Sequence, residues 1–530
     1  MAKLIRTFLG IGLMPDWSLT TTSKCSDPRL SAGHANVLPD ATRAISSESG
    51  CSAIDYLRGS TPLPAEEAKA VIVLRLRQVI FKAPSTQHPA PSTMATKRAD
   101  TKVIVVGGGG TIGSSTALHL LRNGYTPANI TVLDTYQIPS AQSAGHDLNK
   151  IMGVRLRNKV DIQMSLEARK MWNEDELFKP FFHNTGRLDC EHTEDGIKGL
   201  RTQYQTLLDA GVGLEKTTEW LDSEEEILAK VPLLEREQIK GWKAIWSQDG
   251  GWLAAAKAIN AIGEVLKERG VNFGFGAAGS FKQPLFESDG TTCIGVETID
   301  GTKYYADKVV LAAGAWSSTL VDLEDQCCSK AWVFAHIQLT PEEAAEYKGN
   351  PVVYNGEIGF FFEPNEHGII KVCDEFPGFS RFKQHQPYGA ISPKQISVPR
   401  SHAKHPTDTY PDASEVTIKK AISKFLPRFQ EKELFNRAMC WCTDTADAAL
   451  LICEHPKWKN FILATGDSGH SFKILPNVGK HVVELIEGSL PEDMAHAWRW
   501  RPGGDALKSR RAAPPKDLAD MPGWKHDPKL

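Results

Sequence analysis

The sequence lacks three features that would each define a class of protein. It has no apolar run of the roughly 18 to 20 residues that a membrane-spanning helix requires, and the best candidate, residues 70–81, is interrupted by Arg75 and Arg77. Its 10 cysteines among 530 residues are too few and too scattered for a disulfide scaffold. Basic residues do not exceed acidic ones, 61 against 64, whereas nucleic-acid binding favours a basic surplus. We therefore expect a soluble protein of a reducing compartment, with a small-molecule partner, no nucleic acid and no membrane.

The remaining composition is that of a globular protein. Hydrophobic residues make up 41% and charged residues 24% of the chain, and the length of 530 residues allows about three structural units. Residues 1–93 show no sustained periodicity and end in a loop-like stretch. We predict that they form an extension outside the functional unit, disordered or an artefact of the gene model, and that Met94 is the true start. The alternative is a targeting leader, since Lys3 and Arg6 lie in an apolar stretch, but no clear cleavage site follows.

A glycine-rich turn follows the first strongly apolar segment. Residues 102–106 form a buried-strand pattern, and a helical pattern covers residues 114–123. Between them the chain fits the dinucleotide-binding pattern G-x-G-x-x-G, in which glycines let a pyrophosphate approach the backbone at a helix N-terminus. The residues predicted to bind the cofactor in this turn are Gly108, Gly110, Thr111, Ile112 and Gly113.

A second predicted strand, residues 130–133, ends in Asp134, about 20 residues beyond the last glycine. A carboxylate at this place accepts hydrogen bonds from the ribose hydroxyls of an adenosine and disfavours a 2′-phosphate. A glycine turn alone is more often an ordinary connection, but here strand, glycines, helix, second strand and acid agree. The cofactor is therefore FAD or NAD.

Five further segments carry a family resemblance. With the glycine turn, the chain from residue 102 onward resembles the D-amino-acid-oxidase and sarcosine-oxidase superfamily, and most closely the fungal fructosyl-amine oxidases, also called amadoriases or fructosyl amino acid and fructosyl peptide oxidases. The segments are SAGHDLNK (143–150), GFFFEP (359–364), IKVCDE (370–375), MCWCTDTAD (439–447) and SGHSFK (468–473). This resemblance makes FAD the expected cofactor.

The resemblance also implies the fold class, α/β (α+β), with a Rossmann-like FAD-binding domain interwoven with an antiparallel-sheet substrate domain. We expect the discontinuous FAD-binding domain at residues 100–155, 245–330 and 436–490. The substrate domain is expected at residues 156–244 and 331–435. Residues 491–530 would then form a C-terminal segment that contributes to the site.

A hairpin is predicted around the third of these segments. Strand-like residues 359–363 and 369–375 flank a turn-like stretch at 365–368. Because side chains alternate along a strand, Lys371, Cys373 and Glu375 share one face. From the residues alone, contact of this face with solvent is slightly favoured over a cavity.

The resemblance assigns roles to several of these residues. The matching lysine of the family lies near the flavin, so Lys371 is the candidate for oxygen activation, with Lys473 and Lys150 as further active-site cations. Glu375 matches a residue that binds the sugar-amine substrate. Cys440 matches the cysteine that attaches the flavin covalently through a thioether, although by itself it reads as an ordinary buried thiol.

Other assignments concern the flavin contacts and the carboxylate of the substrate. Ser143 and Gly469 match positions that contact the cofactor. Arg155, with Arg157 nearby, is a candidate for the substrate carboxylate, and the C-terminal arginine of the family aligns with either Arg510 or Arg511. Cys440 and Cys442 do not have the spacing of a zinc ligand set, so no metal is expected.

The implied reaction oxidises the bond between fructosyl C1 and the amine, with a hydride passing to flavin N5, and yields glucosone, the free amino acid or peptide and H2O2. The acceptor is O2, and a monomer is expected. Alternatives are another secondary-amine oxidase of the same fold, acting on sarcosine, pipecolate or a D-amino acid, an NAD-dependent dehydrogenase, or a noncatalytic flavoprotein. The choice among α-fructosyl amino acids, ε-fructosyl-lysine and fructosyl peptides stays open, and the resemblance points to the peptide-accepting type.

The last three residues, Pro-Lys-Leu at 528–530, resemble the peroxisomal address S-K-L except for the proline. The peroxisomal import receptor is therefore a predicted partner and the peroxisome the expected compartment, with the cytoplasm as the alternative.

Overall fold

The computed structural model describes residues 97–154, 157–374, 377–508, 514–524 and 526. By internal contacts the chain divides into residues 1–88 and 89–530, and every described residue belongs to the second unit. The predictions for residues 1–93, for Met94 and for residues 528–530 lie outside the described residues.

The strands are, in chain order, β1 (Val103–Val106), β2 (Ile130–Leu133), β3 (Lys150–Met152), β4 (Phe182–His183), β5 (Arg187–Glu191), β6 (Thr218–Leu221), β7 (Lys243–Ser247), β8 (Gly251–Leu253), β9 (Asn272–Gly274), β10 (Phe281–Phe286), β11 (Cys293–Thr298), β12 (Lys303–Tyr305), β13 (Lys308–Leu311), β14 (Cys327–Gln338), β15 (Val352–Asn355), β16 (Gly359–Phe361), β17 (Ile369–Cys373), β18 (Phe379–Ser380), β19 (Phe382–His385), β20 (Lys394–Ser397), β21 (Phe435–Thr445), β22 (Leu451–Glu454), β23 (Phe461–Thr465) and β24 (Lys516–Asp517).

The α-helices are α1 (Thr111–Arg122), α2 (Lys159–Glu174), α3 (Glu194–Ala210), α4 (Glu224–Lys230), α5 (Ala255–Glu268), α6 (Ser317–Leu320), α7 (Pro341–Tyr347), α8 (Asp412–Phe425), α9 (Val478–Glu487) and α10 (Glu492–Ala497). Short 3-10 helices cover Pro127–Asn129, Lys179–Phe181, Leu214–Lys216, Arg236–Gln238, Gly276–Ala278, Gly314–Trp316, Pro427–Phe429, Ser471–Ile474 and Leu518–Asp520.

The smaller of the two main sheets carries the nucleotide-binding pattern. Its six strands lie in the order β22-β23-β13-β1-β2-β9, and all neighbours are parallel except β22 and β23. The all-apolar run of β1 is buried on both faces, as expected of a central parallel strand. Val103 and Val105 pack into the core that includes α1, α5 and α9, and Ile104 and Val106 pack toward the sheet β10-β11-β12.

The larger sheet has ten strands in the order β24-β18-β14-β17-β16-β15-β5-β7-β6, with β21 paired to β14. The predicted hairpin is present, since β16 and β17 pair antiparallel with Phe361 opposite Val372. The fold class is confirmed as α/β with the two sheets interwoven along the chain. The predicted limit at residue 436 falls within β21, a strand of the larger sheet, and the domain limits themselves stay a prediction.

Within the described ranges, no helix combines the length and the apolar character needed to cross a membrane. Across the same part of the chain, no three His, Cys, Asp or Glu side chains are grouped as metal ligands would be.

Candidate active site

The glycine turn has the conformation that the sequence predicts. β1 leads into Gly107, whose φ of +77° is one that side-chain-bearing residues rarely adopt, and α1 begins at Thr111. A Cβ on Gly113 would lie 2.4 Å from the carbonyl oxygen of Gly107, so only glycine lets the helix pack this closely on the turn. Gly110, Thr111, Ile112 and Ser143 line one cavity with this turn, while Gly108 packs against Val132.

Asp134 follows β2, and its carboxylate binds the backbone of the glycine turn. Its Oδ2 accepts a hydrogen bond from Gly109 N at 3.0 Å, and its Oδ1 accepts from Ser140 Oγ at 2.6 Å and Tyr136 N at 3.1 Å. Burial raises the pKa of Asp134 above its ordinary value, against the effect of these hydrogen bonds. The carboxylate lines the cavity, as a ribose-binding acid would.

The cavity has a volume of about 1160 Å³ and extends from the glycine turn to the larger sheet. Its wall includes five of the residues that the family resemblance singled out, namely Lys150, Lys371, Cys440, Gly469 and Lys473. These residues come from β3, β17, β21 and the segment that follows β23. The fold therefore brings together groups that are more than 300 residues apart in the sequence.

Three charged side chains form what we call the lysine–aspartate cluster: Lys150, Asp147 and Lys371. Asp147 Oδ2 accepts a hydrogen bond from Lys150 Nζ at 2.6 Å and one from Lys371 Nζ at 2.5 Å. Lys371 is 3% exposed, and its ammonium also lies 4.9 Å from the ring centroid of Phe334 and 5.8 Å from that of Phe362. Lys371 and Cys373, which the alternation along the strand places on one face, both line the cavity, although the residues alone slightly favoured contact with solvent for this face.

The charges of the cluster shift the pKa values of Asp147 and Lys150. Burial alone would raise the pKa of Asp147, but the two ammonium groups outweigh it and hold that pKa well below its usual range. Burial alone would lower the pKa of Lys150, but the Asp147 carboxylate outweighs it and raises that pKa. Two ammonium groups and one carboxylate leave the cluster with a net positive charge, which favours any anion formed beside it.

Cys440 lies beside this cluster on β21. Its Sγ is 3.6 Å from Lys150 Nζ and 4.0 Å from the carbonyl oxygen of Ala144. Burial raises the pKa of the Cys440 thiol, and Lys150 opposes this rise. The sulfur of Cys442, two residues on, accepts a hydrogen bond from Trp332 Nε1 at 2.9 Å, so the two cysteines have different surroundings.

The turn after β23 forms another part of the wall. Gly466, Ser468 and Gly469 all have positive φ, of 79°, 46° and 72°. Asp467 Oδ1 accepts hydrogen bonds from Gly469 N at 2.9 Å and Thr443 N at 3.2 Å, and burial raises the pKa of Asp467 to about 6. Lys473 follows in a 3-10 helix, where its carbonyl oxygen accepts a hydrogen bond from Trp172 Nε1 at 2.7 Å.

Four predicted site residues, Arg155, Glu375, Arg510 and Arg511, lie outside the described residues. Arg157 lines the cavity and forms an ion pair with Asp161 at 2.7 Å. Their proposed contacts with substrate stay predictions.

Sequence reasoning missed Asp147, the acid that joins the two lysines. Asp147 lies within the matched segment 143–150, but a single acid in a loop gives no local signal of a role. It also missed the basic residues Arg187, Arg381, Arg400 and Lys404, which line the cavity. These come from β5 and from the stretch between β18 and the loop after β20, and only the folded chain groups them.

The chain is similar to known proteins over most of its length. Residues 102–485 match the family model described as FAD dependent oxidoreductase. The L-saccharopine oxidase of Schizosaccharomyces pombe is 31% identical over 409 residues, which cover 76% of this chain and 93% of that protein.

Two solved structures extend the comparison. The fructosyl peptide oxidase from E. terrenum has 78% identity and a TM-score of 0.80, over 81% of this chain and 99% of that one. The fructosamine oxidase Amadoriase II from Aspergillus fumigatus, solved in complex with FSA, has 32% identity and a TM-score of 0.71, over 81% of this chain and 98% of that one.

Proposed function

Because the chain belongs to the family of FAD-dependent oxidoreductases, we propose that it oxidises fructosyl amino acids or fructosyl peptides. The products are glucosone, the free amino acid or peptide and H2O2. The observation that carries this proposal is the lysine–aspartate cluster, which lies with Cys440 on the wall of the glycine-turn cavity. The 78% identity to a fructosyl peptide oxidase specifies the substrate class.

FAD fits the residues of the cavity. The turn from Gly107 to Gly110 and the first residues of α1 offer backbone N–H groups and a helix N-terminus to a pyrophosphate. Asp134 suits the adenosine ribose. FAD bound there would supply a hydride acceptor for the substrate carbon next to the amine and a route for the electrons to O2.

The charged residues of the cavity favour that chemistry. The cluster keeps a net positive charge in a buried place, where it stabilises negative charge that develops on a reduced cofactor or on oxygen accepting an electron. Lys371 is the candidate for oxygen activation because it is the more deeply buried of the two lysines. Lys473 is a further candidate cation, since it lines the same cavity.

Substrate binding is assigned, from the family resemblance, to residues outside the part of the chain that the structure describes. Glu375 is proposed to accept hydrogen bonds from the sugar hydroxyls or the amine, and Arg155 with one of Arg510 and Arg511 to bind the carboxylate. Binding of this kind holds the reacting carbon in one orientation and so removes much of the entropic barrier.

Cys440 is proposed to attach the flavin through a thioether bond. Its sulfur lines the cavity and has the Lys150 ammonium beside it, whereas the Cys442 sulfur already accepts a hydrogen bond from Trp332. Retention of yellow colour in acid-precipitated protein tests this attachment.

The substrate class is tested by measuring peroxide formation with fructosyl-valine, ε-fructosyl-lysine and a fructosyl dipeptide. Sarcosine and L-saccharopine serve as rival substrates, the second because a 31% identical relative is an L-saccharopine oxidase. Peroxide with a fructosyl compound, and at most a small fraction of that rate with the rivals, supports the proposal. Faster turnover of L-saccharopine would replace it with oxidation of saccharopine.

Peroxisomal import through residues 528–530 is a separate proposal, with the cytoplasm as its alternative. A fluorescent fusion with and without these three residues distinguishes the two.

A further inference from the structure

One carboxylate on the cavity wall differs from the others in what holds it. In the part of the chain that the structure describes, the acids that line the cavity are Asp134, Asp147, Asp189, Asp374 and Asp467. The first four accept hydrogen bonds from hydroxyl, ammonium or guanidinium groups of side chains. Asp467 accepts hydrogen bonds only from backbone N–H groups of the described residues. It is therefore the acid of this wall that neither a cation nor a hydroxyl group neutralises.

The turn after β23 fixes the orientation of the Asp467 carboxylate. The positive φ angles of Gly466, Ser468 and Gly469 shape this turn. Both backbone donors, Gly469 N at 2.9 Å and Thr443 N at 3.2 Å, bind the same oxygen, Oδ1. Among the described residues, none donates a hydrogen bond to Oδ2. Because Asp467 is half-buried and lines the cavity, this second oxygen is available to a ligand.

The charges around Asp467 make its carboxylate more basic than usual. Burial and the nearby acid Asp444, on β21, raise the pKa of Asp467 to about 6, although the two backbone donors and Lys150, on β3, act in the opposite direction. The other titratable groups that act on it are the thiols of Cys440 and Cys327. The group is thus mainly ionised at neutral pH, yet it accepts a proton far more readily than an exposed aspartate, as a general base must.

Oxidation of an amine at the adjacent carbon requires the lone pair of the nitrogen. A secondary amine such as a fructosyl amino acid reaches the protein at neutral pH largely as the ammonium ion, whose nitrogen has no lone pair free. A base must therefore remove one proton before the hydride can leave the carbon. Lys150 cannot be this base, because its raised pKa keeps it protonated.

We propose that Asp467 is the general base of amine oxidation, and that its Oδ2 takes the proton from the secondary ammonium group of the bound substrate. One N–H bond breaks, one O–H bond forms at Oδ2, and the electron pair of the broken bond stays on nitrogen. Nothing is oxidised or reduced in this step, so it needs no co-reactant. The inference rests on the proposed function and adds to it the form in which the substrate binds, the ammonium ion.

The test compares wild type with Asp467→Asn, whose side-chain oxygen can still accept both backbone hydrogen bonds. The second-order rate constant for flavin reduction by fructosyl-valine is measured without oxygen from pH 6 to 10. At pH 7 we expect the variant to be slower by about 10²- to 10³-fold. Its rate constant should then rise about tenfold per pH unit, because only substrate that has already lost its proton reacts, whereas the wild type changes little between pH 7 and 8.

Two measurements that do not depend on turnover accompany this profile. A thioether analogue, with sulfur in place of the amine nitrogen, has no proton to lose, so both proteins should bind it equally tightly if the cavity is intact. The second is the midpoint of thermal unfolding as a function of pH. Because the pKa of Asp467 is raised, the folded state binds more protons than the unfolded chain between about pH 4 and 6, and the stability of the wild type relative to the variant falls across that window.

Asp189→Asn is the matched control. It removes a carboxylate from the same cavity wall, but one that is already paired with Arg187. Its reduction rate should therefore keep the pH profile of the wild type. Loss of the profile in both variants would show that any acid of the wall has this effect, and would overturn the assignment to Asp467.

The remaining outcomes are equally distinct. Unchanged reduction by Asp467→Asn at pH 7, or a profile parallel to that of the wild type, overturns the role. A wild-type rate constant that itself rises about tenfold per unit from pH 6 to 8 overturns it without any variant, even if Asp467→Asn binds no FAD, since only the free amine would then react. If fructosyl-valine reduces the wild type at no pH, the proposed function is wrong and this role falls with it.

Discussion

Replacing Asp147 by asparagine tests the lysine–aspartate cluster most severely, because it removes the negative charge and keeps the shape. In the wild type both ammonium groups bind one carboxylate oxygen, so their nitrogens are no more than about 5 Å apart. At an effective dielectric constant of about 20, two positive charges at that distance repel each other by about 3 kcal/mol. The substitution also leaves buried positive charge without its partner. We therefore expect Asp147→Asn to lower the free energy of unfolding by about 3 to 5 kcal/mol.

The pH dependence of this variant follows from the same charges. Without the Asp147 carboxylate, the effect of burial on Lys150 is no longer offset, and the pKa of Lys150 falls below its ordinary value. The folded state then binds fewer protons than the unfolded state, so the stability of the variant rises with pH toward the unfolded lysine value of about 10.4. Activity changes over the same range, because the cluster of the variant passes from two positive charges to one when Lys150 loses its proton.

The wild type is expected to behave differently. The lowered pKa of Asp147 stabilises the fold above the unfolded value of about 3.9, and that contribution is lost as the pH falls below it. The raised pKa of Lys150 stabilises the fold below about 10.4, and that contribution is lost only as the pH rises further. Between about pH 5 and 9 the contribution of the cluster is therefore constant.

The assay measures denaturant unfolding and oxygen consumption of both proteins from pH 6 to 10. Asp175→Asn is the control, since it breaks the more exposed ion pair with Arg122, a change expected to cost less than about 1 kcal/mol without altering the pH profile. The assigned charges would be refuted if Asp147→Asn were as stable as the wild type. They would also be refuted if its pH profiles of stability and activity ran parallel to those of the wild type.

The other predictions concern the remaining parts of the site. Cys440→Ser should leave no flavin in acid-precipitated protein, whereas Cys442→Ser should retain it. Lys371→Met should lower kcat/KM for O2 by about 10²- to 10³-fold while anaerobic reduction by substrate changes little, and an equal loss in both half-reactions would contradict its role. Gly113→Ala should abolish FAD binding, measured by fluorescence quenching, because its Cβ would meet Gly107 O at 2.4 Å. Gly199→Ala, in α3 with open space around its Cβ, should instead stabilise the protein by about 0.5 to 1 kcal/mol.

The local parts of the fold were predictable from the sequence. The strand, glycine turn, helix and Asp134 depend on interactions between residues close in the chain, and β1, α1 and β2 lie within a few residues of their predicted bounds. The hairpin of β16 and β17 was predictable for the same reason, since side-chain alternation fixes which face Lys371 shares with Cys373.

The active site itself depends on long-range pairing that no local pattern encodes. Asp147 meets Lys371 across 224 residues, and Lys150 meets Cys440 across 290. The buried ion pair between Lys330 and Asp444, 3.1 Å long and 1% exposed on both sides, arises because β14 pairs with β21. Family resemblance located the lysines and the cysteine, but only the folded chain shows that one acid connects them.

The central claim is that this chain carries a flavin that Amadori compounds reduce and O2 reoxidises. The most direct measurement adds a fructosyl amino acid or fructosyl dipeptide to the purified protein without oxygen and records the visible spectrum. We predict loss of the flavin absorbance, followed by its recovery with one H2O2 per flavin when O2 is admitted. A colourless protein that takes up no FAD, or a flavin spectrum that no fructosyl compound changes, would contradict the account.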